Sequence, residues 1–283
     1  MIQCKTIEEI RKQVRHLKKE GKTVAFVPTM GALHKGHLSL IRSAKAHADE
    51  VVVSIYVNPE QFGPNEDFED YPRQLENDIR SCENEDVTIV FTPNDEIMYG
   101  SGKKFLSIQV HELNEYMDGG SRPGFFEGIV LVVNKLFNIV EPDFAVFGQK
   151  DIQQVQIIRQ MVEEFNHAVK IVTAPTERAE DGLALSSRNA YLNREQRIVA
   201  PYLYSALKRV EEKIRNGLLE PKAMLNKQQK ELKAKGFEND YLNMFSYETM
   251  KPVGKLEKGK TYILAGAAYL GKTRLIDNII LDL

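Results

Sequence analysis

Residues 23–37 read TVAFVPTMGALHKGH, and the rest of the chain is organised around this stretch. Thr23 to Val27 is a β-branched and aromatic run that predicts a strand; Pro28 ends it, and Gly31 and Gly36 frame a turn. A helical pattern then runs from Leu38 to about Ala48. A strand, a glycine-containing turn and a helix N-terminus make a site for phosphate. The first-turn N–H groups lack partners inside the helix, and the helix dipole favours an anion there. His34 and His37, three apart around Gly36, add imidazoles able to carry charge or donate a proton near neutral pH. An H-x-G-H tetrad alone recurs by chance, and both histidines could be ordinary turn and cap residues. Position at a strand-to-helix junction is what gives this one weight.

Working outward, Thr6 and Glu9 form a T-x-x-E capping box, followed by Ile7, Ile10, Val14 and Leu17 at helical spacing up to Gly21. Val51 to Val57 is a second apolar strand, and a loop rich in Pro, Asn and acids spans residues 58–72. A helix around Gln74 to Cys82 precedes a strand at Val87 to Phe91. Helices at Ile129 to Val140 and Asp151 to Phe165 then alternate with strands at Phe144 to Phe147 and Val169 to Thr173. That alternation predicts an α/β fold, a Rossmann-like parallel sheet with helices on both faces, over residues 1–175. Composition changes after Pro175. Residues 195–235 are rich in Lys, Glu and Leu, and strand-like pieces follow at Tyr241 to Phe245, Tyr262 to Ala265 and Leu275 to Leu281. A smaller α+β C-terminal domain is therefore expected over 176–283.

The 283 residues suffice for one large or two ordinary domains, and a charged share of 28% belongs to a soluble globular protein. A net charge of -2 argues against a nucleic-acid-coating surface. Cys4 and Cys82 make no disulfide framework and no zinc spacing. Neither a secretory signal pattern nor a membrane-length apolar run is present, so a cytoplasmic protein is expected.

Ligands of parallel sheets lie beyond the C-terminal strand ends, and further polar segments fall there. SIYVNPEQF, residues 54–62, leaves a strand and presents Gln61, a neutral amide suited to a hydroxyl or carboxylate. FGQKD, residues 147–151, sets Lys150 and Asp151 at a helix start, where a cation opposes the dipole unless an anion intervenes. Asp151 could equally be a cap. DGLALSSRNAYL, residues 181–192, carries Ser186, Ser187 and Arg188, the last a planar donor for phosphate. GSRPG, residues 120–124, is by itself a turn with a solvated Arg122. GAAYLGKT, residues 266–273, formally matches the phosphate-loop pattern. Its context is wrong: the following TRLIDNIILDL is β-rich, the chain ends ten residues later, and a strand continuing through a glycine fits better.

Taken together, VPTMGALHKGHLSL, SIYVNPEQFGPNEDFEDYPR, SRPG, NKLFNIVEPDFAVFGQKD, DGLALSSRNAYL and the late TRLIDN resemble the pantothenate synthetase (pantoate–β-alanine ligase) family of the H-x-G-H nucleotidylyltransferase superfamily. The resemblance implies an ATP-dependent condensation of pantoate with β-alanine through an enzyme-bound pantoyl adenylate, with Mg²⁺ accompanying ATP, in a homodimer whose C-terminal domain, beyond the 176–188 boundary, acts as a lid that keeps water from the adenylate. It implies that Met30, Gly31, Ala32, Leu33, His34, Lys35, Gly36 and His37 lie along the ATP phosphates. Gly148, Gln149, Lys150 and Asp151, and Leu185, Ser186, Ser187 and Arg188, match two more nucleotide-binding segments. Glu177 matches an adenine-pocket position. Gln61 and Gln154 match the pantoate-binding glutamines, and Arg122 is a plausible substrate contact. His37, His34, Lys150 and Arg188 are the candidate catalytic groups, with His37 favoured as lying closer to the helix start.

Two positions depart from the family pattern. Phe125, Phe126 and Glu127 follow SRPG, where a His and then a basic residue are common, and Gln149 replaces a frequent Glu or Lys, which suggests that this position contributes mainly its backbone. Two competing functions are a nucleotidylyltransferase that releases a nucleotide-linked product, and an inactive nucleotide sensor on the same scaffold. Retention of His34, His37, Lys150, Ser187 and Arg188 speaks against the sensor.

Overall fold

The computed structural model describes residues 1–64, 66–102 and 105–283. Asn65, inside the predicted 58–72 loop, and Lys103 and Lys104 lie outside the described residues. The chain divides into two compact units. One comprises Met1–Val110, Pro123–Gly148 and Gln154–Pro175; the other comprises His111–Arg122, Gln149–Gln153 and Thr176–Leu283.

The first unit is built on a six-stranded parallel sheet. Its strands are β1 (Ile2–Cys4), β2 (Val24–Thr29), β3 (Glu50–Ile55), β4 (Ile89–Phe91), β5 (Phe144–Gly148) and β6 (Lys170–Ala174), in the order β1-β4-β3-β2-β5-β6. β2 is buried from Val24 to Val27, so both its faces need cover. On one face Phe26 meets Phe137 of α6 (Phe125–Val140) edge-on, with ring centroids 6.4 Å apart. On the other, Ala25 and Val27 pack in one cluster with Ile41 and Ala44 of α2 (Lys35–Lys45). The expected fold class is borne out.

Strand order fixes where a ligand can sit. From β2 the chain builds β3 and then β4 to one side, whereas β5 and β6 lie on the other. The crevice of such a sheet opens between the C-terminal ends of the strands where the order reverses, here β2 and β5.

Element ends differ from expectation for local reasons. α1 (Ile7–Lys19) does begin at the Thr6/Glu9 capping box, Glu9 N–H donating to Thr6 Oγ1 at 3.2 Å and Thr6 N–H to Glu9 Oε2 at 3.1 Å. α2 starts at Lys35 rather than Leu38, because His34 serves as its N-cap. α6 starts at Phe125, a turn earlier than Ile129, after Gly124 reverses the chain at φ 82°. β1 is a three-residue edge strand, too short to show a period in sequence.

The second unit holds a three-stranded antiparallel sheet, β7 (Glu238–Ser246), β8 (Thr261–Leu270) and β9 (Thr273–Asp282), in that order. Leu203, Leu207 and Val210 of helix 202–215 and Leu232 of helix 222–234 share its core with Leu242 and Leu264. The phosphate-loop look-alike is a β-hairpin. Leu270 pairs with Thr273 across a two-residue turn whose Gly271 has φ +58°. A Cβ on Gly266 would lie 2.8 Å from Leu242 Cδ1 and 3.3 Å from Leu203 Cδ1, so that glycine serves core packing.

One close approach anchors the first unit. α6 abuts a 3-10 turn at Pro59–Gln61, and a Cβ on Gly128 would fall 1.9 Å from the carbonyl oxygen of Glu60. Backbone cannot yield as a side-chain tip can. Gly128→Ala is therefore expected to lose at least roughly 2 kcal/mol, the scale of an overpacked core. Urea unfolding measures it, and an unchanged midpoint would show that the two backbones are not held together.

Candidate active site

β2 ends at Thr29, whose Oγ1 donates to the Ser54 carbonyl at 2.7 Å and accepts the Gly31 N–H at 3.2 Å. The chain then turns through two left-handed residues, Gly31 (φ +82°) and Ala32 (φ +49°). The second is uncommon without glycine and has to be held. Asp78, on α3 (Leu75–Asn84) and only 2% exposed, does so, its carboxylate accepting the N–H groups of Ala32 at 2.9 Å and Leu33 at 2.7 Å. Gly31 is required for space as well, since a Cβ there would meet Asp78 Oδ2 at 2.9 Å and Ile55 Cγ2 at 3.1 Å. Burial pushes the Asp78 carboxyl above the usual carboxylate range, against the opposing pull of the Leu33 and Ala32 N–H groups.

The histidines come next. His34 Nδ1 accepts the Gly36 N–H at 3.1 Å, and His37 Nδ1 accepts the His34 N–H at 3.3 Å, closing a capping box made of two imidazoles. A ring nitrogen that accepts an N–H carries no proton itself. Each neutral ring therefore holds its hydrogen on Nε2 and presents a donor there. The rings lie 4.1 Å apart, centroid to centroid, tilted by 39°. His34 is the cap and His37 the third helical residue, so His34, not His37 as expected, lies nearer the helix start.

Gln61 ends the 3-10 turn after β3 and is oriented by a chain of amides. Tyr99, the last residue of α4 (Asp95–Tyr99), donates its O–H to Asn58 Oδ1 at 2.7 Å. Asn58 Nδ2 donates to Gln61 Oε1 at 3.1 Å and to the Gly128 carbonyl at 3.2 Å. Gln61 Nε2 lies 2.9 Å from Met30 Sδ. The Gln61 oxygen thus faces Asn58 and its NH₂ faces Met30, in the same unit as the histidine turn. Gln154 sits half-buried on α7 (Ile152–Glu164). Gly148 closes β5 with Leu40 Cδ2 of α2 3.8 Å from where its Cβ would be. The Phe125 and Phe126 rings lie 4.9 Å apart, centroid to centroid, tilted by 56°, in the first turn of α6.

The second unit carries the remaining candidates. Gln149–Asp151 form a 3-10 turn, with Lys150 Nζ 3.5 Å from Asp151 Oδ1. Ser186 Oγ accepts the Arg188 N–H at 3.3 Å and caps the 3-10 turn Ser187–Tyr191. Leu185 N–H donates to the Glu177 carbonyl at 2.9 Å, while Glu177 itself is exposed. Arg122 closes the short helix α5 (Met117–Ser121), its N–H donating to the Asp118 carbonyl at 2.9 Å. Gln153, 1% exposed, ties that helix down: its Oε1 accepts from Asp118 N–H at 2.9 Å, and its Nε2 donates to the Leu113 and Tyr116 carbonyls at 2.7 and 2.8 Å.

Sequence reading did not single out Asp78, Asn58, Tyr99 or Gln153. Asp78 gave one signal, an acid on the apolar side of a helix, beside Cys82. The others act through contacts from distant segments that no local pattern shows.

A parallel sheet whose switch-point turn opens a capped helix with two oriented imidazoles defines a nucleotide-binding class of α/β protein. The chain belongs to the pantoate–β-alanine ligase family: the family model described as Pantoate-beta-alanine ligase matches residues 2–280. It is 50% identical over 278 residues to the pantothenate synthetase of Carboxydothermus hydrogenoformans, covering 98% of this chain and 97% of that one. The crystal structure of the Thermus thermophilus pantothenate synthetase superposes with a TM-score of 0.91 at 40% identity, covering 99% of both chains. That of the Francisella tularensis pantoate–β-alanine ligase, complexed with β,γ-ATP and β-alanine, superposes at 0.81 with 36% identity, covering 99% of this chain and 97% of that one.

The Asp78 shift fixes a sign. The folded state binds this proton more tightly than the unfolded chain, so stability from this group is lost as pH rises from about 3.9 through its raised native value. Against Asp78→Asn, which has no such proton, the wild type is expected to lose relative stability between about pH 4 and pH 7. Urea titrations at both pH values measure this; a wild type that gains instead would mean that the N–H groups outweigh burial.

Proposed function

We infer that the chain is an ATP-dependent ligase that joins pantoate to β-alanine through an enzyme-bound pantoyl adenylate, in the cytoplasm and as a homodimer. The observation that carries this reading is the turn after β2, where a helix N-terminus and two imidazoles fixed through Nδ1 lie at the switch point of the sheet. Family membership supplies the substrates.

In the first step a pantoate carboxylate oxygen attacks the α-phosphorus of ATP. The bond from that phosphorus to the bridging oxygen breaks, and pyrophosphate leaves with the electron pair. In the second, the β-alanine amine attacks the acyl carbon, AMP departs and the amine loses a proton. Both steps bring anions together or build charge on a leaving group, so catalysis rests on neutralisation and alignment. In this reading Met30–His37 lie along the phosphates and the His34 and His37 rings donate to them, while the Gly31, Ala32, Leu33, His34 and Gly36 N–H groups hold the turn in shape. Lys150 and Arg188 supply cationic charge, and Ser186 and Ser187 supply hydroxyls. Gln61, its amide fixed by Asn58, donates through its NH₂ to pantoate with Gln154. Glu177 lies toward the adenine, and Arg122 toward the substrate acids. Among the described residues no group of three His, Cys, Asp or Glu side chains could hold a metal ion. Mg²⁺, which prefers oxygen ligands and phosphates, would accompany ATP and offset its charge. Among the described residues no helix is long and apolar enough to cross a membrane.

The test is release of pyrophosphate and AMP from ATP and pantoate. Without β-alanine, one equivalent of pyrophosphate and almost no AMP are expected; with it, AMP and pantothenate should form at equal rates. A freely released adenylylated product would make the chain a nucleotidylyltransferase, and no turnover would favour the sensor. His37→Ala is expected to slow single-turnover adenylate formation by roughly 10² or more, the cost of one preorganised donor. Near-normal adenylation with intact folding would remove His37 from the mechanism.

A further inference from the structure

β9 contains the run TRLIDN, residues 273–278, to which the function proposed above gives no role. Of its polar, largely buried side chains, Arg274, Asp277 and Asn278 each grip a different segment of the second unit. Arg274 donates to Asp118 Oδ1 at 2.6 Å and to Asp240 Oδ2 at 2.7 Å, holding the helix that leads to Arg122. Asp277 receives Arg178 as a bidentate pair at 2.6 and 2.8 Å. Arg178 in turn donates to the Gly182 carbonyl at 3.1 Å and lies 3.5 Å from the Tyr204 ring centroid, fixing the base of the loop that continues to Arg188.

Asn278, 2% exposed, makes the most specific contacts of the three. Its Nδ2 donates to two carbonyls at once, those of Gln149 and Lys150, each at 2.9 Å. Its Oδ1 accepts from Gln149 Nε2 at 3.3 Å, which sets the orientation of the Asn278 amide. Only a group with two N–H bonds on one nitrogen and an acceptor beside it meets this pattern, and a carboxylate would point a charge at two carbonyl oxygens. Gln149, expected to contribute mainly its backbone, therefore contributes its side chain as well. Ladder pairing of Asn278 with Ala265 keeps the strand in register beneath the turn.

We propose that Asn278 is a positioning residue for Lys150: it holds the 149–151 turn so that the ammonium meets the nucleotide phosphates. Asp277 and Arg274 hold the 178–188 and 118–122 segments in register with it on the same strand. The inference rests on Lys150 acting on the nucleotide, as proposed above.

A double-mutant cycle tests it. Asn278→Ala is expected to slow single-turnover adenylate formation by about 10- to 100-fold, the scale for a misplaced catalytic group. Asn278→Asp should be at least as damaging. In a Lys150→Ala background the same Asn278→Ala change should cost less than about two-fold, because the group it positions is gone. A full multiplicative loss in that background, or no loss in the wild type, would overturn the proposal. Melting curves identify any variant that fails to fold; should Asn278→Asp do so, Asn278→Ala, which introduces no charge, decides. The same cycle run on ATP affinity by calorimetry separates the two claims. Wild-type protein that binds ATP but adenylates no pantoate would sink the proposed reaction, while coupling between Asn278 and Lys150 in ATP binding would still stand or fall by itself.

Discussion

β2 lies inside a parallel sheet, with β3 on one side and β5 on the other, and the chain leaves its C-terminal end at the point where strand order reverses. Every feature of the first unit's site depends on that placement. A strand buried on both faces cannot shift register without moving Phe26 off Phe137 or Val27 out of the α2 cluster. The turn beyond it is therefore delivered to a fixed place, and Asp78 and Thr29 then give it a fixed shape.

Within that turn, structural and chemical roles divide between the two nitrogens of each ring. A histidine at a helix start invites a choice between capping and catalysis. Here Nδ1 caps and Nε2 keeps the proton, so the first role enforces the second. The arrangement also gives the helix N-terminus its cap without an acidic side chain; none lies in the first turn of α2, where a carboxylate would repel phosphate. The second unit is held differently: from one strand, the Asn278 amide grips one turn by its backbone carbonyls, and Arg274 and Asp277 grip other segments by ion pairs to their side chains.

The alternation of apolar strands with helices was legible because parallel strands buried on both faces are continuous apolar runs and their helices are amphipathic. The sheet, its helices and the late antiparallel strands follow from that pattern. The phosphate-loop look-alike could be set aside for a similar reason, since Gly266–Thr273 leads into another strand and not a helix. Helix starts were less legible. α2 begins three residues early because a histidine caps it, and histidine is not among the usual capping residues. Asn58, Gln153 and Asn278 were missed because each acts on backbone groups far away in the chain and leaves no periodic mark, whereas Asp78 left only its place on the apolar side of a helix. The site segments themselves were found through family motifs as much as through physics: Gln61 and Arg188 in isolation are ordinary loop residues.

The central claim is that the two imidazoles of the H-x-G-H turn present Nε2–H donors because their Nδ1 atoms are occupied by backbone N–H groups. Long-range ¹H–¹⁵N correlation spectra of the ring-labelled protein above the histidine titration range report this directly. Both His34 and His37 are expected in the Nε2–H tautomer, and His34→Ala, which keeps the backbone N–H that His37 Nδ1 accepts, is expected to leave His37 in it. A proton found on Nδ1 of either residue in the free protein would contradict the cap, and with it the Nε2–H donors.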